Sequence, residues 1–159
     1  MDAAALRERF TEEEWAKLST APLTVAALVM QADRSGIFKE MQSLLRYLEK
    51  APREVRQSPL CAAILADQAA ALHDLRVGAH AISLAQSGGD PYAEVNAVLD
   101  ILAAKCDLDE SLAVRQMLFG IARRVAEAAR EGSFLGFGGV HISEKEEAVL
   151  NRLRFLLRA

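Results

Sequence analysis

The chain has few of the residues that mark several large protein classes. Two cysteines among 159 residues exclude a disulfide scaffold, and 4 prolines with 9 glycines exclude a collagen-like or low-complexity chain. Aromatic residues make up only 6%, and the net charge is only −3. Because 52% of the residues are hydrophobic, the composition also excludes intrinsic disorder, which requires few apolar residues and a large net charge.

Long apolar runs and a leader pattern are missing as well. The longest mostly apolar run spans residues 21–32, which is shorter than the roughly 20 residues that a membrane-spanning helix needs. The first residues show no cationic start followed by an apolar stretch, so we expect no secretory signal. Cys61 and Cys106 lie 45 positions apart, and we interpret them as free buried thiols. These features predict a cytoplasmic protein without a membrane span.

Alanine and leucine dominate what is present, with 29 and 22 residues. Apolar residues repeat every three or four positions along most of the chain, as they do on one face of an α-helix. No segment of useful length alternates with the period of a strand. We therefore predict an all-α fold, a single domain over residues 1–159 built as a bundle of about six or seven helices.

The first helix start is unusually complete. Thr11 can cap the helix, Glu14 completes a capping box, and Phe10 with Trp15 forms a hydrophobic staple. We expect this helix to end near Ser19, before Pro22. Pro22 would then open a second helix that is apolar nearly all round and central in the fold.

The later helices begin with similar capping patterns. Further helices are predicted from about Ile37 to Lys50, from Ser58-Pro59 to about Gln86, from Asp90-Pro91, from a cap at Asp107 or Asp109, and from Ser143 with Glu146. A glycine-rich loop at 132–140 precedes the last helix.

The three histidines are the first candidates for chemistry. His73 and His80 share one face of the long helix with Arg76, but seven positions are about 10.5 Å of rise, too far to share a metal directly. No metal-binding motif is present, so we predict no metal and no cofactor. The same helix carries a polar strip of Asp67, His73, Asp74, Arg76, His80 and Ser83. This strip is either a solvated face or a polar lining between helices, and in the second case His73, Arg76, His80 and His141 are ligand-binding candidates.

The loop at 132–140 combines glycines with large apolar side chains. It lacks the lysine and Ser/Thr of a phosphate-binding loop, and no strand precedes it. It is either a tight connection whose apolar side chains pack into the bundle, a lid over an apolar pocket, or a docking surface. Its ligand-binding candidates are Phe134, Phe137, Gly138 and Gly139.

Basic residues occur in local clusters. They are Arg53 with Arg56, Arg115 with Arg123 and Arg124, and Arg152 with Arg154 and Arg158. Acidic residues are interleaved with them, and the isoelectric point is about 5.7. Because a general nucleic-acid binder is usually basic, we interpret the clusters as solvated helix faces and expect no nucleic-acid partner.

Several segments together resemble a known family. The segments are Thr11-Glu-Glu-Glu-Trp15, Ala21-Pro22, Ala32-Asp-Arg-Ser-Gly36 and Phe134-Leu-Gly-Phe-Gly-Gly-Val140 followed by Ser143. With them the chain resembles an uncharacterised family of small all-helical bacterial proteins. The resemblance implies a helical fold and a bacterial source, and it implies no activity, cofactor or catalytic residue.

Two functions of different classes follow. The first is a non-enzymatic helical module that self-associates or binds a protein partner, because alanine-rich stripes let helices approach closely. The alternative is a small-molecule-binding bundle or cofactor-free enzyme with an apolar pocket under the 132–140 loop. No nucleophile has an activating context in the sequence, which favours the non-enzymatic module.

Overall fold

The structure is a computed structural model that describes residues 3–32, 37–73, 90–130 and 142–158. Within these ranges the chain forms eight α-helices and no strand: α1 (Ala3–Arg7), α2 (Glu12–Ala32), α3 (Ile37–Glu49), α4 (Arg53–Gln57), α5 (Pro59–His73), α6 (Pro91–Lys105), α7 (Leu108–Arg130) and α8 (Glu144–Leu157). The predicted all-α class is confirmed. The number of helices exceeds six or seven because α1 and α4, with 5 residues each, are helices in their own right.

The predicted break before Pro22 is wrong. One continuous helix, α2, runs through Pro22, although proline has no N–H to donate to the Leu18 carbonyl. Leu18 and Val25, on either side of the proline, are both fully buried. The continuous apolar face offsets the lost hydrogen bond, because a break would remove half of that face from the core.

Helix α2 is the centre of the bundle, as its apolar sequence predicts. It packs against α3, α5, α6, α7 and α8. Ala26 on α2 and Ala122 and Ala126 on α7 are fully buried. These small side chains let the helices of one chain approach each other closely, so the buried alanines serve packing within the chain.

The predicted helix caps are confirmed. Thr11 and Glu14 form both bonds of a capping box, with the Thr11 N–H donating to Glu14 Oε2 over 2.8 Å, and the rings of Phe10 and Trp15 lie 5.8 Å apart. Ser143 and Glu146 form a second capping box. At the start of α7 the cap is Asp107, whose Oδ1 accepts from the Glu110 N–H over 2.8 Å.

Helix α5 begins at Pro59, as predicted, and the Ser58 hydroxyl accepts a hydrogen bond from the Cys61 N–H. The predicted continuation of this helix to Gln86 and the glycine-rich loop at 132–140 lie outside the described residues. Among the helices that are described, none combines the length and the hydropathy required to cross a bilayer.

Candidate functional site

The ligand-binding candidates predicted from the sequence fall almost entirely beyond the described ranges. His73 is the last residue of α5, and only its backbone is described. The remaining candidates lie outside the described residues, and they are Arg76, His80, Phe134, Phe137, Gly138, Gly139 and His141. The roles assigned to these residues from the sequence stay predictions.

A groove of about 580 Å³ lies between α3 and α7, beside the connection from α3 to α4. We call it the basic groove. Its volume falls in the range of roughly 300–1,000 Å³ that is usual for ligand pockets. Its walls are formed by Gln42, Ser43, Arg46, Tyr47, Lys50, Pro52, Arg124, Glu127 and Ala128.

Helices α3 and α7 run antiparallel along this groove. The Ser43 hydroxyl donates to the Arg124 carbonyl oxygen over 3.2 Å, and further along α3 the Tyr47 hydroxyl lies against Gly120. Because the residue numbers rise along α3 and fall along α7, these two contacts fix the order of residues along the groove. Arg124 lies level with Ser43, Arg46 follows almost one turn later, and Lys50 lies beyond it.

The amphipathic pattern of α3 places its cations at the groove. Leu44, Tyr47 and Leu48 are buried in the core, so the polar residues between them lie at the edge of the buried face. Arg46 and Lys50 are four residues apart and therefore neighbours on the helix surface. Two like charges at this spacing repel each other, and their position at the C-terminal end of α3, where the helix dipole favours cations, opposes that repulsion.

Three cations in the groove lack an acidic partner among the described residues. The ion pairs within those ranges include none made by Arg46, Lys50 or Arg124. One carboxylate, Glu127, lies in the wall, and it accepts a hydrogen bond from Arg123 Nε over 2.9 Å. The groove therefore presents a surplus of positive charge to solvent, which favours an anionic ligand.

The floor of the groove is formed by Tyr47, which is 8% exposed. A Cβ atom at Gly120 would lie 3.0 Å from the Tyr47 hydroxyl oxygen, so a larger residue there would require the tyrosine side chain to shift by a few tenths of an ångström. Burial raises the pKa of Tyr47 to about 12, although the nearby Arg124 acts in the opposite direction. The hydroxyl therefore stays protonated at neutral pH and can donate a hydrogen bond.

A second set of charges connects the ends of three helices. Arg9 donates to both carboxylate oxygens of Glu110 over 2.8 Å and to the Lys105 carbonyl oxygen over 2.7 Å. Lys105 Nζ lies 2.9 Å from Glu14 Oε2 and donates to the Arg9 carbonyl oxygen. We call these four residues the charge clamp. Both of its carboxylates also complete capping boxes, so the clamp joins the start of α2 to the start of α7.

The clamp lowers the pKa of its acids. The hydrogen bond from Arg9 holds the pKa of Glu110 below its ordinary value, against the opposing effect of partial burial. The hydrogen bond from the Thr11 backbone, followed by that from Lys105, does the same for the pKa of Glu14. Both groups stay ionised near neutral pH, which is the state that stabilises the clamp.

Asp67, a polar residue on α5, is occupied by structural contacts. Asp67 accepts a 2.6 Å hydrogen bond from the Trp15 indole N–H, and Arg7 lies over the Trp15 ring, 5.7 Å from its centroid. Cys61 and Cys106 are both free, as predicted, but Cys61 is buried whereas Cys106 is only partly buried. Burial raises the pKa of Cys61, and that of Cys106 to about 11, so neither is an activated thiol. No group of three metal-binding side chains occurs in the part of the chain that the structure describes.

Sequence reasoning missed the residues that form the basic groove. It grouped Arg124 with its neighbours in the chain, whereas the fold brings Arg124 together with Arg46 and Lys50. A signal was present in Gly120, because a lone glycine inside a long amphipathic helix costs stability and often marks a close approach. The like-charged pair on α3 was the second signal.

Comparison with known proteins returned no significant match to any protein-family model, curated protein or solved structure. The family resemblance stated from the sequence stays a prediction.

Proposed function

We propose that this protein is a non-enzymatic helical binding module that holds an acidic segment of a protein partner in the basic groove. The single observation behind the proposal is the row of Arg46, Lys50 and Arg124, which form no ion pair with other described residues. Such a row is unfavourable in the free protein because like charges repel, and a partner that brings carboxylates relieves the repulsion.

The groove walls suit binding better than proton transfer. The Ser43 hydroxyl donates to a backbone carbonyl, which does not activate it as a nucleophile. The pKa of Tyr47 is about 12, too high for a base at neutral pH. Arginine and lysine offer donors that match carboxylates. These properties support a binding role over a catalytic one.

The size of the charged surface supports a protein partner over a nucleic acid. Three cations are few for a nucleic-acid site, one wall carries Glu127, and the net charge of the chain is −3. A long polyanion would meet that net repulsion, whereas a short acidic segment contacts the groove alone.

The test is a binding titration with a fluorescein-labelled glutamate-rich peptide, followed by anisotropy at low and physiological salt. We expect Arg124→Gln and Lys50→Gln each to weaken binding about three- to fivefold, and the triple neutralisation with Arg46→Gln to weaken it at least thirtyfold. Added salt should weaken wild-type binding because the charges are exposed.

The matched control is Lys145→Gln, which removes the same charge from an exposed position on α8. It should leave the affinity within a factor of two. Loss of affinity that is equal in Lys145→Gln and Lys50→Gln would show that only net charge matters, and it would refute a site in the groove. Tighter binding of a DNA oligonucleotide of equal charge would also contradict the proposal.

A small acidic compound is the second candidate for the groove, because about 580 Å³ also suits a small ligand. Citrate is a suitable probe, since it carries several carboxylates in a small volume. Competition of citrate with the labelled peptide at micromolar concentration would favour a small ligand. Displacement only at concentrations where ordinary salt acts equally well would favour the peptide.

Self-association is the other form of the module expected from the sequence. Sedimentation of the wild type alone, combined with the peptide titration, distinguishes self-association from binding of a different protein. If concentrated protein dimerises and the triple neutralisation abolishes the dimer, the acidic segment belongs to a second copy. The predicted apolar pocket under the 132–140 loop lies outside the described residues and stays a separate prediction.

A further inference from the structure

Among the residues that the structure describes, three large apolar side chains are exposed. Leu108 on α7 and Phe155 on α8 are 82% and 81% exposed, and Leu112 on α7 is 41% exposed. Scattered apolar residues are ordinary on a protein surface, whereas apolar residues that share one surface mark an interaction site. What these side chains indicate therefore depends on whether they lie together.

Contacts within the chain place them along one surface of α7 and α8. Leu108, Leu112 and Phe119 are separated by four and then seven residues, so they form one stripe on α7. Phe119 is partly buried, and the guanidinium carbon of Arg154 on α8 lies 5.3 Å from the centroid of its ring. This contact brings the turn of α8 that carries Phe155 beside the α7 stripe. We call this surface the α7–α8 face.

The two ends of the α7–α8 face carry opposite charges. The charged residues within two positions of Leu108 are the acids Asp107, Asp109 and Glu110. Those within three positions of Phe155 are the arginines Arg152, Arg154 and Arg158. Asp109 and Arg154 are exposed, and neither forms an ion pair with another residue in the described ranges. The face therefore joins an acidic apolar end to a basic apolar end.

A second copy of the chain, turned by 180°, matches both ends of this face at once. The basic end of each copy then lies on the acidic end of the other, because the two contacts of an isologous dimer are equivalent. Leu108 of each copy meets Phe155 of the other, and Asp109 meets the arginines. An anionic lipid surface fits less well, since it attracts the arginines but repels the acids.

We infer that the α7–α8 face is an interface between two copies of this chain, with the two-fold axis passing between Leu112 and Phe119. Arg115 lies between these residues on the stripe and is partly exposed, so the stripe is not continuously apolar. We therefore expect a weak dimer with a dissociation constant of tens of micromolar, and not an obligate one. The inference goes beyond the proposed function, because the basic groove lies between α3 and α7 and takes no part in this interface.

The first test is analytical ultracentrifugation of the full chain from about 5 μM to about 1 mM. Phe155→Ser should raise the dissociation constant of the dimer about a hundredfold, because each dimer buries this side chain twice. The triple neutralisation of the basic groove should leave the dimer intact. A wild type that stays monomeric at about 1 mM, or a dimer that Phe155→Ser does not weaken, would overturn the inference.

The second test exchanges the charges at the two ends. Asp109→Arg and Arg154→Glu should each weaken self-association about tenfold, since each creates two like-charged contacts in the dimer. An equimolar mixture of the two variants should dimerise about as well as the wild type, because every contact in the mixed dimer again joins an acid to a base. Lys145→Glu, the same reversal at the other end of α8, should change the dissociation constant less than threefold.

The mixture is decisive because two unfolded variants would not restore each other. If it associates no better than either variant alone, the two-fold arrangement is wrong. Binding of the monomeric wild type to phosphatidylserine vesicles, with loss of binding in Phe155→Ser, would instead assign the face to a lipid surface and overturn the inference. Titration of the labelled acidic peptide against Phe155→Ser separates the two proposals, since this variant should bind the peptide as the wild type does. Unfolding midpoints show whether each variant is folded.

Discussion

Two groups of cations in this protein have opposite surroundings. In the charge clamp, Arg9 and Lys105 each contact a carboxylate within 3 Å, and both carboxylates belong to capping boxes. In the basic groove, Arg46, Lys50 and Arg124 form no ion pair with the residues described. The first arrangement completes ion pairs inside one chain, whereas the cations of the second make none with the described residues.

The difference shows which charges stabilise the fold. Arg9 and Glu110 form a bidentate pair, and their side chains are 30% and 20% exposed, so solvent screens them only in part. The three groove cations are exposed and repel one another. Neutralising a clamp residue should therefore reduce stability and spare binding, and neutralising a groove cation should do the reverse.

The largest effect on stability is expected for Glu110→Gln. Glutamine can still complete the capping box, but it cannot accept both hydrogen bonds of Arg9 as a charged partner. We expect a loss of about 1–2 kcal/mol in the free energy of unfolding at pH 7, measured by urea denaturation. Affinity for the acidic peptide should not change.

The pH dependence of folding stability provides a second test of the same variant. Because the pKa of Glu110 is lowered in the folded protein, its contribution is complete above the ordinary value of 4.5 and is lost as the pH falls through the lower folded value. Wild-type stability should thus fall below about pH 4.5, and Glu110→Gln should show a weaker fall. An identical acid profile in the two proteins would show that the clamp does not stabilise the fold.

The packing of Tyr47 against Gly120 predicts that Gly120→Ala lowers the free energy of unfolding in the wild type and raises it in the Tyr47→Phe background. In the wild type, Gly120→Ala places a Cβ atom 3.0 Å from the Tyr47 hydroxyl, and we expect a loss of about 1 kcal/mol. In the Tyr47→Phe background the nearest remaining ring atom lies at 3.7 Å, so the same substitution should stabilise the helix by up to about 1 kcal/mol. Urea denaturation of the four proteins completes a double-mutant cycle. Equal effects of Gly120→Ala in both backgrounds would mean that the hydroxyl does not limit this contact.

Most of the fold could be predicted from the sequence because its signals are local. Capping boxes such as Thr11 with Glu14 and Ser143 with Glu146 involve residues three positions apart, and their bonds form as expected. Pro22 was misinterpreted because its local cost was visible, while the packing on both sides that offsets the cost depends on distant helices. Helix α1 is short and was not predicted, even though it contributes a core residue, Leu6, which is 1% exposed.

The groove could not be predicted for the same reason. Arg46 and Arg124 are far apart in the chain, and only the antiparallel packing of α3 on α7 brings them together. The charge clamp has the same property, since Arg9 and Glu110 are separated by 101 positions. Local periodicity indicates which face of a helix is buried, but it does not indicate which helix covers that face.

The smallest effect is expected when the acid in the wall of the basic groove is neutralised. Glu127 is the acid among the groove-wall residues, and it pairs with Arg123 at a four-residue spacing. Since Arg123 is 66% exposed and precedes its acid, the less favourable order, Glu127→Gln should cost at most about 0.3 kcal/mol of stability. Affinity for the acidic peptide should rise about twofold because the groove loses its negative charge.

A matched control comes from another exposed pair on a helix surface. Glu13 and Lys17 on α2 have the same spacing and lie outside the basic groove. Glu13→Gln should cost a similar few tenths of a kcal/mol and leave peptide affinity unchanged. If Glu13→Gln raised the affinity as much as Glu127→Gln, the gain would come from net charge alone. A rise confined to Glu127→Gln would instead place the peptide beside α7, where the free cations and the paired acid meet.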